Sequence, residues 1–201
     1  MVNEKKKVTK YFNRIQLNKN VEKRNENLWE TNLQDANLDW KNIYQTPFKT
    51  TLDTTLRNFQ YKIIMGILPT NTLLVKYKIK DSPVCDLCNN SEETLVHIFW
   101  ECQITQSLWN DLQMFLTAKS INLPITKTSA LLGLKTGYQH ELKNYLLILM
   151  KRFIYIMKIQ SRRPTFTIFL NYLSERIKSE SLISLTKNKY NTRSDIFNNL
   201  I

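Results

Sequence analysis

The sequence places its three cysteines and one of its two histidines in one short stretch, SPVCDLCNNSEETLVHIFWEC. Cys85, Cys88, His97 and Cys102 follow one another with the spacing C-x2-C-x8-H-x4-C. Three thiolates and one imidazole form a complete tetrahedral ligand set for Zn²⁺, which leaves no coordination position for water or substrate. The pattern therefore predicts one structural zinc ion and no catalytic residue beside it.

The order of these residues disfavours two other chemistries. A thioredoxin-like C-x-x-C pair needs a strand before it and a helix that opens at it, and the sequence suggests neither. Zinc deaminases carry H-x-E ahead of P-C-x-x-C, whereas here the histidine follows the cysteine pair and no acid stands two residues after it. We therefore expect Glu92, Glu93 and Glu101 to be first-turn and surface acids. The remaining histidine, His140, is expected to be solvated or to cap a helix.

Helices must position these ligands, because three glycines and five prolines in 201 residues are too few for a turn-rich β fold. Asp39 is predicted to cap a short helix that ends before Pro47. An apolar stripe over residues 52–63 predicts a second helix, with Gly66 at its end. Thr70 or the next residue is predicted to start a third helix.

The helix that carries His97 is predicted to begin at Ser91, which two glutamates follow. Cys102 comes five residues after His97, roughly 140° around a regular helix. Both side chains reach one metal only if the helix ends or loosens near residues 100–101. The sequence therefore predicts a helix break there.

Beyond the cysteines, apolar stripes predict three further helices, the last of them opened by Pro164. The predicted fold class is mostly α: a small helical domain with one structural zinc knuckle, followed by a C-terminal helical pair. The predicted divisions are a basic arm, a helical zinc-binding domain, a connector, C-terminal helices and a tail, at residues 1–24, 25–118, 119–137, 138–183 and 184–201.

The net charge of +12 is concentrated at the two ends of the chain. Residues 1–24 hold eight Lys/Arg and two acids, and residues 151–201 hold ten and three. Such ends favour a polyanionic partner, RNA or DNA, with plain solvated charge as the alternative. Candidate contacts for nucleic acid are Lys5, Lys6, Lys7, Lys76, Tyr77, Lys78, Lys80, Arg162 and Arg163.

The segment 76–80 also fits an ordinary helix end, with Tyr77 and Ile79 turned inward. The tryptophans Trp29, Trp40, Trp100 and Trp109 are expected in the core. No signal peptide, membrane span or glycine-rich nucleotide loop is encoded, and three cysteines cannot all pair. We expect a cytoplasmic or nuclear protein, not secreted, that uses no membrane and no small-molecule substrate.

Several short motifs occur in a recognisable order: W-x-x-I-Y, L-R-x-F-Q-Y-K-I, G-x-L-P-T-N, S-P-x-C-x-x-C, E-E-T-x-x-H-x-F-x-x-C and the later Trp109. Over residues 39–109 the chain resembles the zinc-binding domain near the C-terminus of non-LTR (LINE-type) retrotransposon reverse transcriptases. The resemblance implies that the three cysteines and His97 are metal ligands. It also implies engagement of template RNA or target DNA, with the reverse transcriptase core of the parent element as a possible partner.

The chain departs from whole enzymes of that type. It contains no F/Y-x-D-D polymerase motif, and no P-D nuclease motif follows the cysteines. We therefore expect a non-catalytic accessory domain from the C-terminal part of such a polymerase. The alternatives are a protein-docking zinc domain, with Trp29, residues 119–137 and the helix pair beyond residue 138 forming its docking surface, and a decayed retrotransposon remnant without activity.

Overall fold

The computed structural model describes residues 19–35, 37–135 and 140–186. Over these ranges the chain is mostly α, as predicted, and its only β pairing is an isolated antiparallel bridge between Val84 and Glu92. The helices are α1 Lys19–Leu33, α2 Trp40–Thr50, α3 Thr54–Ile64, α4 Asn71–Lys76, a π-helical turn His97–Glu101, α5 Gln103–Ala118, α6 Lys127–Leu132, α7 Glu141–Ile159 and α8 Phe166–Thr186.

Short polar side chains start the helices where the sequence predicted them. The Asp39 carboxylate accepts the backbone N–H of Asn42 at 3.1 Å and so caps α2. The Thr70 hydroxyl accepts the N–H of Leu73 and caps α4. Gly66 adopts a φ of +65°, which lets the chain turn away just after the end of α3.

Two predicted boundaries next to prolines are wrong. Pro47 does not stop α2 but lies buried inside it, and the helix continues to Thr50. Proline removes one helical hydrogen bond, and here Pro47 packs into the core beside buried Thr46, so burial compensates for the loss. Pro164 stands two residues before α8, and the Thr165 hydroxyl accepts the N–H of Ile168 instead.

Residues predicted as a connector, 119–137, contain the helix α6. Thr126 and Ser129 form a capping box at its start, in which each side chain accepts the other residue's backbone N–H. Ala130, Leu131 and Leu132, which form the second half of α6, are buried. The second half of α6 is therefore part of the core, while the predicted division of the chain into domains stays a prediction.

Helix α7 lies at the centre of the molecule. It packs against α2, α3, α6 and α8, and residues 144–151 are all buried. The Lys151 side-chain nitrogen is also buried and donates to the Leu131 carbonyl at 2.8 Å, which accepts Gln60 Nε2 as well. One apolar cluster runs from Trp29 to Ile177. Within the described ranges, no helix is long and apolar enough to cross a membrane.

Candidate metal centre

The first two ligands lie in a tight turn that backbone pairing holds in place. The Cys85 N–H donates to the Ser91 carbonyl at 2.8 Å, and the Asn89 N–H donates to the Cys85 carbonyl at 2.9 Å. Asn89 has a φ of +54°, a left-handed conformation that asparagine tolerates well. This turn folds the chain back so that Cys85 and Cys88 face the same point.

The helix that carries His97 begins later than the sequence predicted. Ser91 does not cap it, because residues 91–93 pair with the strand-like segment opposite, where the Glu93 N–H donates to the Pro83 carbonyl. Thr94 takes that role: its hydroxyl accepts the His97 N–H at 3.0 Å. Glu92 lies in the isolated bridge and not in a first helical turn.

The predicted helix break is confirmed and takes the form of the π-helical turn His97–Glu101. The Cys102 N–H reaches back five residues to the His97 carbonyl at 2.8 Å, and Cys102 itself is extended, with ψ at 128°. A π-turn is a common device for re-aiming side chains at functional sites. Here it turns Cys102 toward the side of the helix on which His97 lies.

Two side chains from α5 satisfy carbonyl groups that the break exposes. The Thr105 hydroxyl donates to the Ile98 carbonyl at 2.7 Å, and the Trp109 indole donates to the Phe99 carbonyl at 2.7 Å. All four residues are buried, where an unsatisfied carbonyl would cost about 1–3 kcal/mol. The break is therefore supported by residues that follow it in sequence.

The four predicted ligands come together. Their sulfur and nitrogen atoms all lie within 4.8 Å of one another, and Cys88 Sγ lies 3.3 Å from His97 Nε2. In a tetrahedral site with Zn–S distances of about 2.3 Å and Zn–N distances of about 2.0 Å, ligand atoms are about 3.5–3.8 Å apart. The cluster fits one zinc ion, and three of the four residues are buried.

The thiols are arranged so that one of them ionises readily. Cys85 and Cys102 share a hydrogen bond, which lowers the pKa of Cys102 to about 7 and, together with burial, raises that of Cys85. The backbone amides of Thr105 and Ile104, at the start of α5, also lower the pKa of Cys102. Because zinc binds thiolates, this pair is prepared to release its first proton near neutral pH.

Glu93, expected to be a surface acid, is fully buried beside the cluster. Its Oε1 atom accepts from Lys158 Nζ at 2.6 Å and from the Asn71 N–H, the first amide of α4, at 2.9 Å. Its backbone carbonyl accepts the Thr72 hydroxyl at 2.8 Å. Glu93 therefore joins the loop that carries the ligands to α4 and α7, a role for which its local sequence gave no signal.

The candidate nucleic-acid contacts next to the cluster differ in exposure. Lys76 and Lys78 are exposed, and Tyr77 is half-buried. Lys80 forms an ion pair with Asp86 at 2.6 Å. Ile79 is 44% exposed, so the inward placement considered for it is wrong.

Arg162 and Arg163 are both exposed in the turn between α7 and α8. They follow Lys158, which pairs with Glu93 of the ligand loop, by four and five residues. Lys5, Lys6 and Lys7 lie outside the described residues. His140 takes the position just before α7, as expected, but its side chain makes no capping hydrogen bond, and its Nδ1 atom is buried with no partner among the described residues.

Comparison with known protein families shows to which family a chain with this cluster belongs. A family model described as zinc-binding in reverse transcriptase matches residues 8–109, half of the chain. The chain belongs to this family. The match includes all four ligands and ends at Trp109, whose indole supports the helix break. The predicted resemblance to a reverse-transcriptase zinc-binding domain is thereby confirmed, and no curated protein matches the chain.

Proposed function

We propose that this reverse-transcriptase zinc-binding domain is a non-catalytic accessory module that engages RNA or DNA for a LINE-type polymerase. The observation that carries the proposal is the closed Cys3His cluster in a chain of this family. Four protein ligands satisfy a structural zinc ion completely, so the cluster favours support of a surface over chemistry. Such a protein would work in the cytoplasm, the nucleus or both.

A bound zinc ion would cross-link the loop at residues 85–102. That loop is tied to α4 and α7 through Glu93. Fixing it therefore also fixes the exposed lysines at the end of α4 and the arginines after α7. Cys85, Cys88, His97 and Cys102 hold the metal in this account, and Lys76, Lys78, Arg162 and Arg163 contact phosphate groups.

A salt series tests the proposal. Binding of the full chain to single-stranded RNA and DNA of the same sequence is measured by fluorescence anisotropy. The logarithm of affinity should fall linearly with the logarithm of salt, with a slope of about 0.7 per phosphate contact. Failure of the full chain to bind either strand at low salt would reject nucleic-acid engagement.

Charge-neutralising variants locate the contacts. Replacing Lys76, Lys78, Arg162 and Arg163 by glutamine should reduce the slope by up to about 3. A control that neutralises two lysines exposed elsewhere, Lys62 and Lys178, should lower the slope by much less than half as much. Equal slopes for both variants would show that these four residues do not contact phosphate.

The protein-docking alternative loses two parts of the surface that the sequence suggested for it, while the helix pair beyond residue 138 remains. Trp29 is 2% exposed and its indole donates to the Ile64 carbonyl at 2.8 Å. Residues 130–132 of the supposed connector are buried as well. These residues stabilise the fold, and any docking to a polymerase core would have to use other parts of the molecule.

A further inference from the structure

Helix α2 has an exposed face that the core does not explain. Its buried residues, Ile43, Thr46, Pro47 and Thr50, follow the i, i+3, i+4, i+7 pattern of one helix side. The opposite side presents Lys41, Gln45, Phe48 and Lys49 to solvent. Phe48 is 61% exposed, and no other aromatic side chain in the described ranges is classed as exposed.

The ring of Phe48 is held in place by Arg57 from α3. The Arg57 guanidinium lies 5.5 Å from the ring centroid. The same side chain donates to the Thr51 carbonyl at 2.7 Å and to the Phe48 carbonyl at 3.3 Å. With a cation over one face and most of the side chain still exposed, Phe48 is an aromatic surface positioned in advance for a flat partner.

A basic hollow adjoins this surface. It has a volume of about 310 Å³ and is lined by Asp39, Lys41, Asn42, Gln45, Lys49 and Lys135. Its one acid, Asp39, already accepts the N–H of Asn42 as the cap of α2. Three lysines around a polar hollow complement the negative charge of a phosphate group.

We propose that this face of α2 binds single-stranded nucleic acid, with phosphates at Lys41, Lys49 and Lys135 and an unpaired base stacked on Phe48. The proposal rests on the proposed function and adds a second contact surface to it, built from residues that the sequence did not single out. An aromatic ring beside a basic track is the usual design for single strands, since every base offers a flat face. A base inside a duplex cannot reach such a ring.

The first test replaces Phe48 in the full chain. Phe48→Ala should weaken binding of single-stranded oligonucleotides by between about 5-fold and 100-fold. The salt slope should not change, because no charge is removed. Phe48→Tyr should restore affinity, and Met114→Ala, which shortens a side chain that is 63% exposed on α5, should leave it unaltered.

An oligonucleotide without bases separates stacking from a general loss of structure. The full chain should bind this abasic strand more weakly than the normal one, and Phe48→Ala should then have no further effect. The neutralised variant K41Q/K49Q/K135Q should instead lower the salt slope by about 2 for every strand. RNA and DNA arms report which sugar is preferred, and either preference supports the proposal.

Two results separate failure of this surface from failure of the proposed function. If the full chain binds single strands and both variants bind them equally well, the α2 surface is wrong and the proposed function stands. If the full chain binds duplex as tightly as single strands, and Phe48→Ala changes neither affinity, the proposed stacking of a base on Phe48 is overturned. Absence of binding by the full chain rejects both.

Discussion

His97 is the only nitrogen ligand in the cluster, and Thr94 caps the helix that carries it. We predict that His97→Gln lowers the zinc content of the purified protein well below one ion per chain. Structural zinc sites in small peptides supply about 10–16 kcal/mol of apparent binding energy, so the thermal midpoint should fall with the metal content. Elemental analysis and thermal unfolding measure the two effects.

The other histidine provides a matched control. His140 lies just before α7 and outside the cluster, so His140→Gln should keep one zinc ion per chain. If the two variants retained the same zinc, the four-residue ligand set would be wrong.

Lys151 is a buried base whose charge the fold disfavours. Burial holds the pKa of its ammonium group well below the usual 10.5. The unfolded chain therefore binds one more proton than the folded chain between the lowered value and 10.5. In that window the free energy of unfolding rises with pH, by up to about 1.4 kcal/mol per pH unit.

We predict that Lys151→Met removes this rise and increases stability near neutral pH. Leu131 would keep a donor for its carbonyl, because Gln60 Nε2 also reaches it at 3.0 Å. Denaturant titrations between about pH 7 and pH 9, with zinc present, measure the slope for both proteins. The exposed Lys178→Met should leave the slope as it is, and an unchanged slope in Lys151→Met would show that Lys151 is charged when folded.

At the scale of single helices, the sequence predicted what local chemistry decides. Asp39, Thr70 and Gly66 act on backbone groups within a few residues of themselves, and each takes its predicted place. The break before Cys102 was also predictable, because ligand spacing and helix geometry conflict there. Pro47 and Ser91 failed because distant packing and loop pairing overrode their local preferences.

Glu93 is the clearest case of a residue whose role depends on distant packing and could not be predicted from its local sequence. Its partner Lys158 lies on α7, far along the chain, and only the folded structure brings the two charges together at 2.6 Å. Removing one member of a buried pair costs about 3–5 kcal/mol, because the other charge is left unpaired. We predict such a loss for Glu93→Gln and for Lys158→Met, measured by denaturant unfolding with zinc present.

The double variant Glu93→Gln/Lys158→Met should lose less than the sum of the two single variants. The pair of Lys80 with Asp86 serves as the control, since its side chains are 33% and 39% exposed. Lys80→Met should cost at most about 1 kcal/mol. Additive losses, or losses as small as that of the control, would mean that the buried pair does not couple the loop to α7.

At the scale of the whole molecule, the packed core extends over more of the chain than the family match does. The match stops at residue 109, yet Phe59 in the matched part packs against Tyr155 of α7, with ring centroids 5.8 Å apart. The Tyr155 hydroxyl also donates to the Pro69 carbonyl at 2.9 Å. In the same way Glu180 of α8 accepts the Thr51 hydroxyl at 2.8 Å. The zinc-binding part therefore completes its core with helices that lie beyond the residues matched by the family model.

We predict that residues 1–118 alone, with zinc, unfold at a much lower temperature than the full chain and bind a hydrophobic dye, because α7 and α8 no longer cover Phe59 and its neighbours. Glu93→Gln separates this from a general effect of truncation. In the full chain the substitution breaks the pair with Lys158, whereas in the fragment that partner is absent and the carboxylate keeps only contacts within the zinc-binding part, such as the Asn71 N–H. Glu93→Gln should therefore destabilise the full chain much more than the fragment, as measured by urea unfolding. A fragment as stable as the full chain, or an equal loss of stability in both, would show that the zinc-binding part folds independently of α7.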